Sequence, residues 1–222
     1  MRTLLALVAG MLLVAAAPQA RDWRATVGTT PGGGFTVGNP AAKIALVEYL
    51  SFTCPHCAQF AAASKAQLHD GWVRTGAIRV ETRALARDPF DLAAWVVARC
   101  GGPRRFAALS GAIFAEQDAW LRKGDGWVQA NLTQLRAMPQ LQQIRTVADQ
   151  SGLAAIGARH GVTPATLTAC TSRANIDAIV KMTEASMAKI HGTPSFEING
   201  ALDDSIHDWA GLEPRLRAAG AR

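Results

Sequence analysis

Apolar and polar positions alternate along this chain with spacings that predict its elements. The run Ile44-Ala45-Leu46-Val47-Glu48-Tyr49-Leu50-Ser51-Phe52 is rich in aliphatic and aromatic residues and predicts a strand over 43–52. A helix is expected from Pro55 to about Asp70, since proline lacks the N–H that a first helical turn leaves unused. A second strand follows over 77–84, making a strand–helix–strand unit whose strands should run parallel. Asp88-Pro89 then reads as a helix cap with proline at the first position. Ala93, Val96, Val97 and Cys100 form the apolar stripe of that helix, and Gly101-Gly102-Pro103 stops it. Further helical stripes carry Phe106, Leu109, Ile113 and Phe114, then Leu141, Ile144 and Ala148, then Leu167 and Cys170. No strand pattern interrupts 88–171.

Beyond this helical block, Ile176, Ile179, Val180, Met187 and Ile190 fit one amphipathic helix, with Met182 and Met187 as core filler. Ser195-Phe196-Glu197-Ile198 reads as a strand, Asn199-Gly200 as a type I′ hairpin turn, and Ala201-Leu202 as the returning strand. A last helix covers 208–219. Upstream, the glycine-rich stretch Thr29–Gly34 reads as a flexible lead-in. Met1–Ala20 combines Arg2, an apolar run from Leu4 to Val14 and small residues. That is the pattern of a secretory signal, too short for a membrane span. Pro18 disfavours cleavage after Ala17 or Ala20, and cleavage after Ala16 or retention as an anchor stays open. The net charge of +6 comes from scattered basic residues, including Arg83, Arg87, Arg99, Arg104 and Arg105. No basic block or aromatic interleaving marks a nucleic-acid footprint.

Chemistry concentrates in Cys54-Pro55-His56-Cys57. Two thiols with two residues between them can close into a small ring and reopen, exchanging electrons with another disulfide. Cys54 falls where a strand ends and a helix begins, so unpaired backbone N–H groups and the helix dipole favour its thiolate. A protonated His56 would add positive charge. In such settings a thiol pKa falls from about 8.5 to roughly 3.5–7.5. Zinc binding normally needs a second cysteine pair or a Cys/His pair at matching spacing, which the isolated Cys100 and Cys170 do not supply.

The segment Val47-Glu48-Tyr49-Leu50-Ser51-Phe52-Thr53-Cys54-Pro55-His56-Cys57 resembles the active-site segment of the DsbA family of periplasmic thiol–disulfide oxidoreductases, and Gly192-Thr193-Pro194 resembles its proline loop. The resemblance covers roughly 38–220. It implies an α/β thioredoxin-like fold with an inserted all-helical domain: thioredoxin-like parts at 21–87 and 173–222, and a helical insertion at 88–172. It further implies that Cys54 attacks and Cys57 resolves. Pro194 would be cis, with the backbone of Thr193 pairing with substrate. Glu48 would be a buried acid beneath the cysteines; taken alone, it reads equally as a solvent-facing strand glutamate. Thr193 stands where many strong oxidases of the family carry an aliphatic residue. Cys100 and Cys170 can form a structural disulfide, buried within the block, or remain two separate thiols. His191 reads as a helix C-terminal histidine; His69, His160 and His207 suggest no role.

The implied function is an exported dithiol oxidase working in the periplasm as a monomer, with no metal or organic cofactor. Reduced or unfolded secreted proteins would bind along an apolar groove between the Cys54 helix and the proline loop. A membrane oxidase of the DsbB type would restore the disulfide. Alternatives are a reductase or isomerase fed by a reductant, or a non-catalytic binder such as a periplasmic holdase or a Cu(I) site of two thiolates.

Overall fold

The computed structural model describes residues 21–222, and the leader reading at 1–20 lies outside the described residues. One sheet holds β1 (Val27–Thr29), β2 (Phe35–Gly38), β3 (Ile44–Leu50), β4 (Ile78–Ala84), β5 (Ser195–Ile198) and β6 (Ala201–Leu202). Their spatial order is β1-β2-β4-β3-β5-β6. As expected from the crossover, β3 and β4 are parallel, while β5 pairs with β3 antiparallel. The type I′ turn is present: Asn199 and Gly200 have φ of 52° and 84°, which glycine adopts freely and asparagine tolerates. Asn199 also clasps Ala45, accepting from its N–H at 2.8 Å and donating to its carbonyl at 2.8 Å.

The glycine-rich lead-in is not a free tail. Val27–Thr29 and Phe35–Gly38 form a hairpin around it, and β2 pairs antiparallel with β4. Gly33 has φ of 86° in that turn, so the residues that looked like flexibility are turn chemistry.

α1 (Pro55–Ser64) continues through Lys65–Val73 as wider π-helical turns before β4 begins. The inserted block comprises α2 (Pro89–Cys100), α3 (Pro103–Ala115), α4 (Gln117–Arg136), α5 (Gln140–Ser151), α6 (Leu153–Arg159) and α7 (Pro164–Cys170). α8 (Arg173–Met187) leads back to the sheet, and α9 (Trp209–Ala218) closes the chain. The expected cap forms, Asp88 accepting from the Asp91 N–H, and Asp208 caps the last helix in the same way, accepting from the Gly211 N–H. The middle of α2, from Ala93 to Ala98, is completely buried, so this helix is the axis of the block. Met182 is core, but Met187 is 63% exposed and does not fill it, because it falls on the solvent face of α8.

β3 explains how the site is placed. Side chains of a strand alternate between faces. Ile44, Leu46, Glu48 and Leu50 therefore share one face, and Ile44, Leu46 and Leu50 belong to the main core with Phe60 and Cys57 of α1. Val47 and Tyr49 point the other way, into a small cluster with Leu85 and Ile190. The strand then turns at Ser51 and delivers Cys54 to the start of α1.

Candidate active site

Cys54 is the N-cap of α1, with Pro55 at the first helical position. Its N–H donates to the Ser51 carbonyl at 3.2 Å, closing the turn that links strand to helix. Both Cys54 and Cys57 carry free thiols, whereas Pro55 and His56 are exposed beside them. Cys54 is the nearer of the two to solvent, as expected, but by little, at 3% exposed against 0% for Cys57. The cause is the loop across from it. The Thr193–Pro194 peptide is cis, and in its thiol form Cys54 Sγ donates to the Thr193 carbonyl at 3.2 Å.

The two thiols are electrostatically unlike. Cys54 is lowered from 9.0 to about 5, chiefly because the Cys57 thiol donates to its sulfur. The Thr193 hydroxyl and the backbone N–H groups of Cys57 and His56 add to this, against the opposing effect of burial. Burial pushes Cys57 far above the ordinary thiol range, and the neighbouring Cys54 thiolate pushes it further. The Thr193 hydroxyl is buried and makes no well-formed hydrogen bond of its own, so it is free to lean on either sulfur.

Glu48 is buried at 3% exposure, with Oε1 lacking any partner, and burial raises its carboxyl from 4.5 to about 8. The solvent-facing alternative is therefore excluded: β4 and β5 flank β3, and Glu48 lies on its core face. A cavity of about 430 Å³ adjoins it under α1, lined by Phe35, Leu50, Phe60 and Phe114, with Ser64 and His69 among its polar atoms. Burial lowers His69 from 6.5 to about 4, keeping the ring neutral at pH 7.

Cys100 and Cys170, the last residues of α2 and α7, are joined as a disulfide with Cα atoms 5.6 Å apart. They are half-buried rather than buried, because both helices end at the surface of the block.

Sequence reasoning gave no role to His207, Asp91 or Gln117 and misplaced His191. His207 was assigned no role, yet its Nδ1 lies 2.9 Å from the Pro194 carbonyl. His191, read as a helix C-terminal residue, is exposed and lies beyond the end of α8. Asp91 and Gln117 both reach the Ser51–Cys54 turn. No local pattern encodes such contacts, which join positions far apart in the chain.

Fold and site together define a thioredoxin-like protein of the DsbA-like form, a dithiol helix and a cis-proline loop on a sheet interrupted by helices. Residues 30–216 match the family model described as Thioredoxin. The crystal structure of a protein-disulfide isomerase from Novosphingobium aromaticivorans aligns with a TM-score of 0.75 at 33% identity, covering 82% of this chain and 95% of that one. The chain belongs to the thioredoxin family. Wolbachia pipientis alpha-DsbA1 shares the fold, with a TM-score of 0.65 at 19% identity, covering 86% of this chain and 92% of that one. Among curated relatives, a Rickettsia bellii protein named a protein-disulfide oxidoreductase is 31% identical over 173 residues. That match covers 76% of this chain and 58% of the relative, so the chain spans little more than half the length of the curated relatives it matches.

Proposed function

We propose that this protein is a thiol–disulfide oxidoreductase that acts as a dithiol oxidase on exported proteins. The observation carrying this reading is the unequal stabilisation of the two sulfurs, Cys54 as thiolate and Cys57 as thiol. A dithiol whose reduced form is stabilised leaves a disulfide that oxidises its substrates strongly. In the forward reaction a substrate thiolate attacks Sγ of Cys54 in the closed disulfide. The Cys54–Cys57 bond breaks, a substrate–Cys54 bond forms, and the electron pair leaves with Cys57. Because Cys57 is disfavoured as an anion, it takes a proton, and the neutral Glu48 carboxyl is the candidate donor. A second substrate thiolate then attacks the substrate sulfur and expels Cys54 as a stable thiolate. The substrate has lost two electrons and the enzyme dithiol has gained them.

The backbone of Thr193, facing Cys54 in the cis-proline loop, is the proposed pairing edge for substrate, and His56 the exposed tuning residue. Reoxidation is assigned to a membrane oxidase of the DsbB type and the compartment to the periplasm, on the strength of the leader pattern at 1–20. Two observations favour a second reading, reduction or isomerisation. Thr193 places an unpartnered hydroxyl at the sulfurs, and the structural neighbour at 33% identity is named an isomerase.

Equilibrating the Cys54–Cys57 pair against mixtures of reduced and oxidised glutathione separates the two. The oxidase reading expects a pair more oxidising than glutathione, so that it remains reduced when much of the glutathione is oxidised. A pair that closes readily in predominantly reduced glutathione would overturn the oxidase direction.

A further inference from the structure

The Ser51–Cys54 turn is held from the side of the helical block, not only by its own strand and helix. Phe52 is 1% exposed and inserts its ring between Trp95 of α2 and Phe114 of α3, with centroids 4.8 Å from each. Its backbone follows. The Phe52 N–H donates to Asp91 Oδ1 at 2.8 Å, and the Ser51 hydroxyl donates to Asp91 Oδ2 at 2.5 Å. On the other side, Gln117 Nε2 donates to the Phe52 carbonyl at 2.8 Å and to the Cys54 carbonyl at 2.9 Å. Two carbonyls converge on one side-chain nitrogen, which fixes the orientation of the amide: reversed, it would set oxygen against two oxygens. Asp91 is fully buried and Gln117 is 4% exposed, so water does not compete for these bonds. Asp91 sits in the first turn of α2 and Gln117 at the first position of α4.

We infer that Asp91 and Gln117 are positioning residues through which the helical insertion sets the reactivity of Cys54. The Cys54 thiolate is supported by the N–H groups of His56 and Cys57, whose direction depends on how the N-cap residue is seated. Gln117 holds the carbonyl of that residue, and with Asp91 it pins the Phe52 peptide at both its N–H and its C=O. Releasing either anchor lets the turn relax and the N–H groups swing from the sulfur. The hydroxyls of the turn are tied to the same block. Thr53 donates to Asp88 Oδ2 at 2.7 Å, and Arg87 Nε donates to the Ser51 hydroxyl at 3.0 Å. This inference rests on the thiol–disulfide reading of the site.

Gln117→Met keeps the length of the side chain and removes both donors, while Asp91→Asn keeps shape and removes one acceptor. Each is compared with Ile144→Ala, which cuts into the core of the block at α5 away from the turn. Both positioning variants are expected to raise the pH midpoint of the Cys54 thiolate by about one unit and to make the pair about tenfold less oxidising against glutathione. Ile144→Ala is expected to lower stability in urea while leaving midpoint and redox equilibrium unchanged. A wild-type midpoint near 5 that moves in neither folded positioning variant would overturn the inference, as would an equal shift in Ile144→Ala. A wild-type midpoint already at that of free cysteine would instead overturn the reading of the site itself.

Discussion

Replacing Cys54 by serine is expected to lower thiol–disulfide exchange by at least about a thousandfold, because the reacting sulfur is gone and the remaining Cys57 is wholly buried and held as a thiol. Cys57→Ala should behave differently. Cys54 loses the Cys57 thiol that does most to lower it but keeps the Thr193 hydroxyl and the backbone N–H groups of positions 56 and 57, so its sulfur still opens a substrate disulfide or captures a mixed-disulfide partner. Without Cys57 nothing resolves that bond from within the enzyme, and the mixed disulfide should accumulate. Alkylation followed by mass spectrometry of the covalent complex distinguishes the two variants. Accumulation in Cys54→Ser rather than in Cys57→Ala would reverse the assignment of roles, which rests on Cys54 facing Thr193 and Cys57 being wholly buried.

The second large effect concerns stability. The Cys100–Cys170 disulfide closes a loop across 70 residues. In the chain-entropy account, removing such a closure costs about 4 kcal/mol, since the unfolded chain regains the conformations that the crosslink denied it. Urea unfolding of a Cys100→Ala, Cys170→Ala double variant should show a loss of that size, with exchange chemistry retained. A loss below about 1 kcal/mol would mean the helical block is held by packing alone. The geometry also orders the two disulfides under graded reduction. A pair that releases the stabilised Cys54 thiolate is the easier to open, so it should open before Cys100–Cys170. Cys100 and Cys170 are more exposed than Cys54 and Cys57, so this order rests on the thiolate released and not on burial.

Where the chain's own local chemistry decides a structure, the sequence was readable. Asp88-Pro89 starts α2 because one side chain caps and the next residue needs no hydrogen-bond partner. Asn199-Gly200 turns because both residues tolerate positive φ. The strand–Cys54–helix junction was legible for the same reason, and the dithiol chemistry with it. The family resemblance then supplied the helical insertion and the pairing of Thr193-Pro194 with the cysteines. What stayed hidden depends on partners distant in sequence. β1 and β2 are three and four residues long, and their strand signal is swamped by the glycines of the turn between them. Glu48 carries no mark of burial until β4 and β5 enclose it. Gln117 and Phe52 are 65 residues apart, so nothing periodic announces their hydrogen bond. His207 reaches the Pro194 carbonyl only because the segment between β6 and α9 returns to the site.

Protonation links the site to stability with a definite sign. The folded reduced protein holds Cys54 below its unfolded value of 9.0, so the ionised thiolate stabilises the reduced fold at pH above that value. This contribution is lost as pH falls through about 5, and the oxidised protein, lacking the thiolate, has no such term. The most direct test of the whole account is therefore the ultraviolet absorbance of thiolate in the reduced protein, followed from acid to alkaline pH with Cys100–Cys170 left intact. The expected result is a single-thiolate transition near pH 5, absent after alkylation of Cys54, with Cys57 silent across the neutral range. A first transition near the ordinary thiol value of about 8.5 would contradict it, since Cys54 would then be an unactivated cysteine.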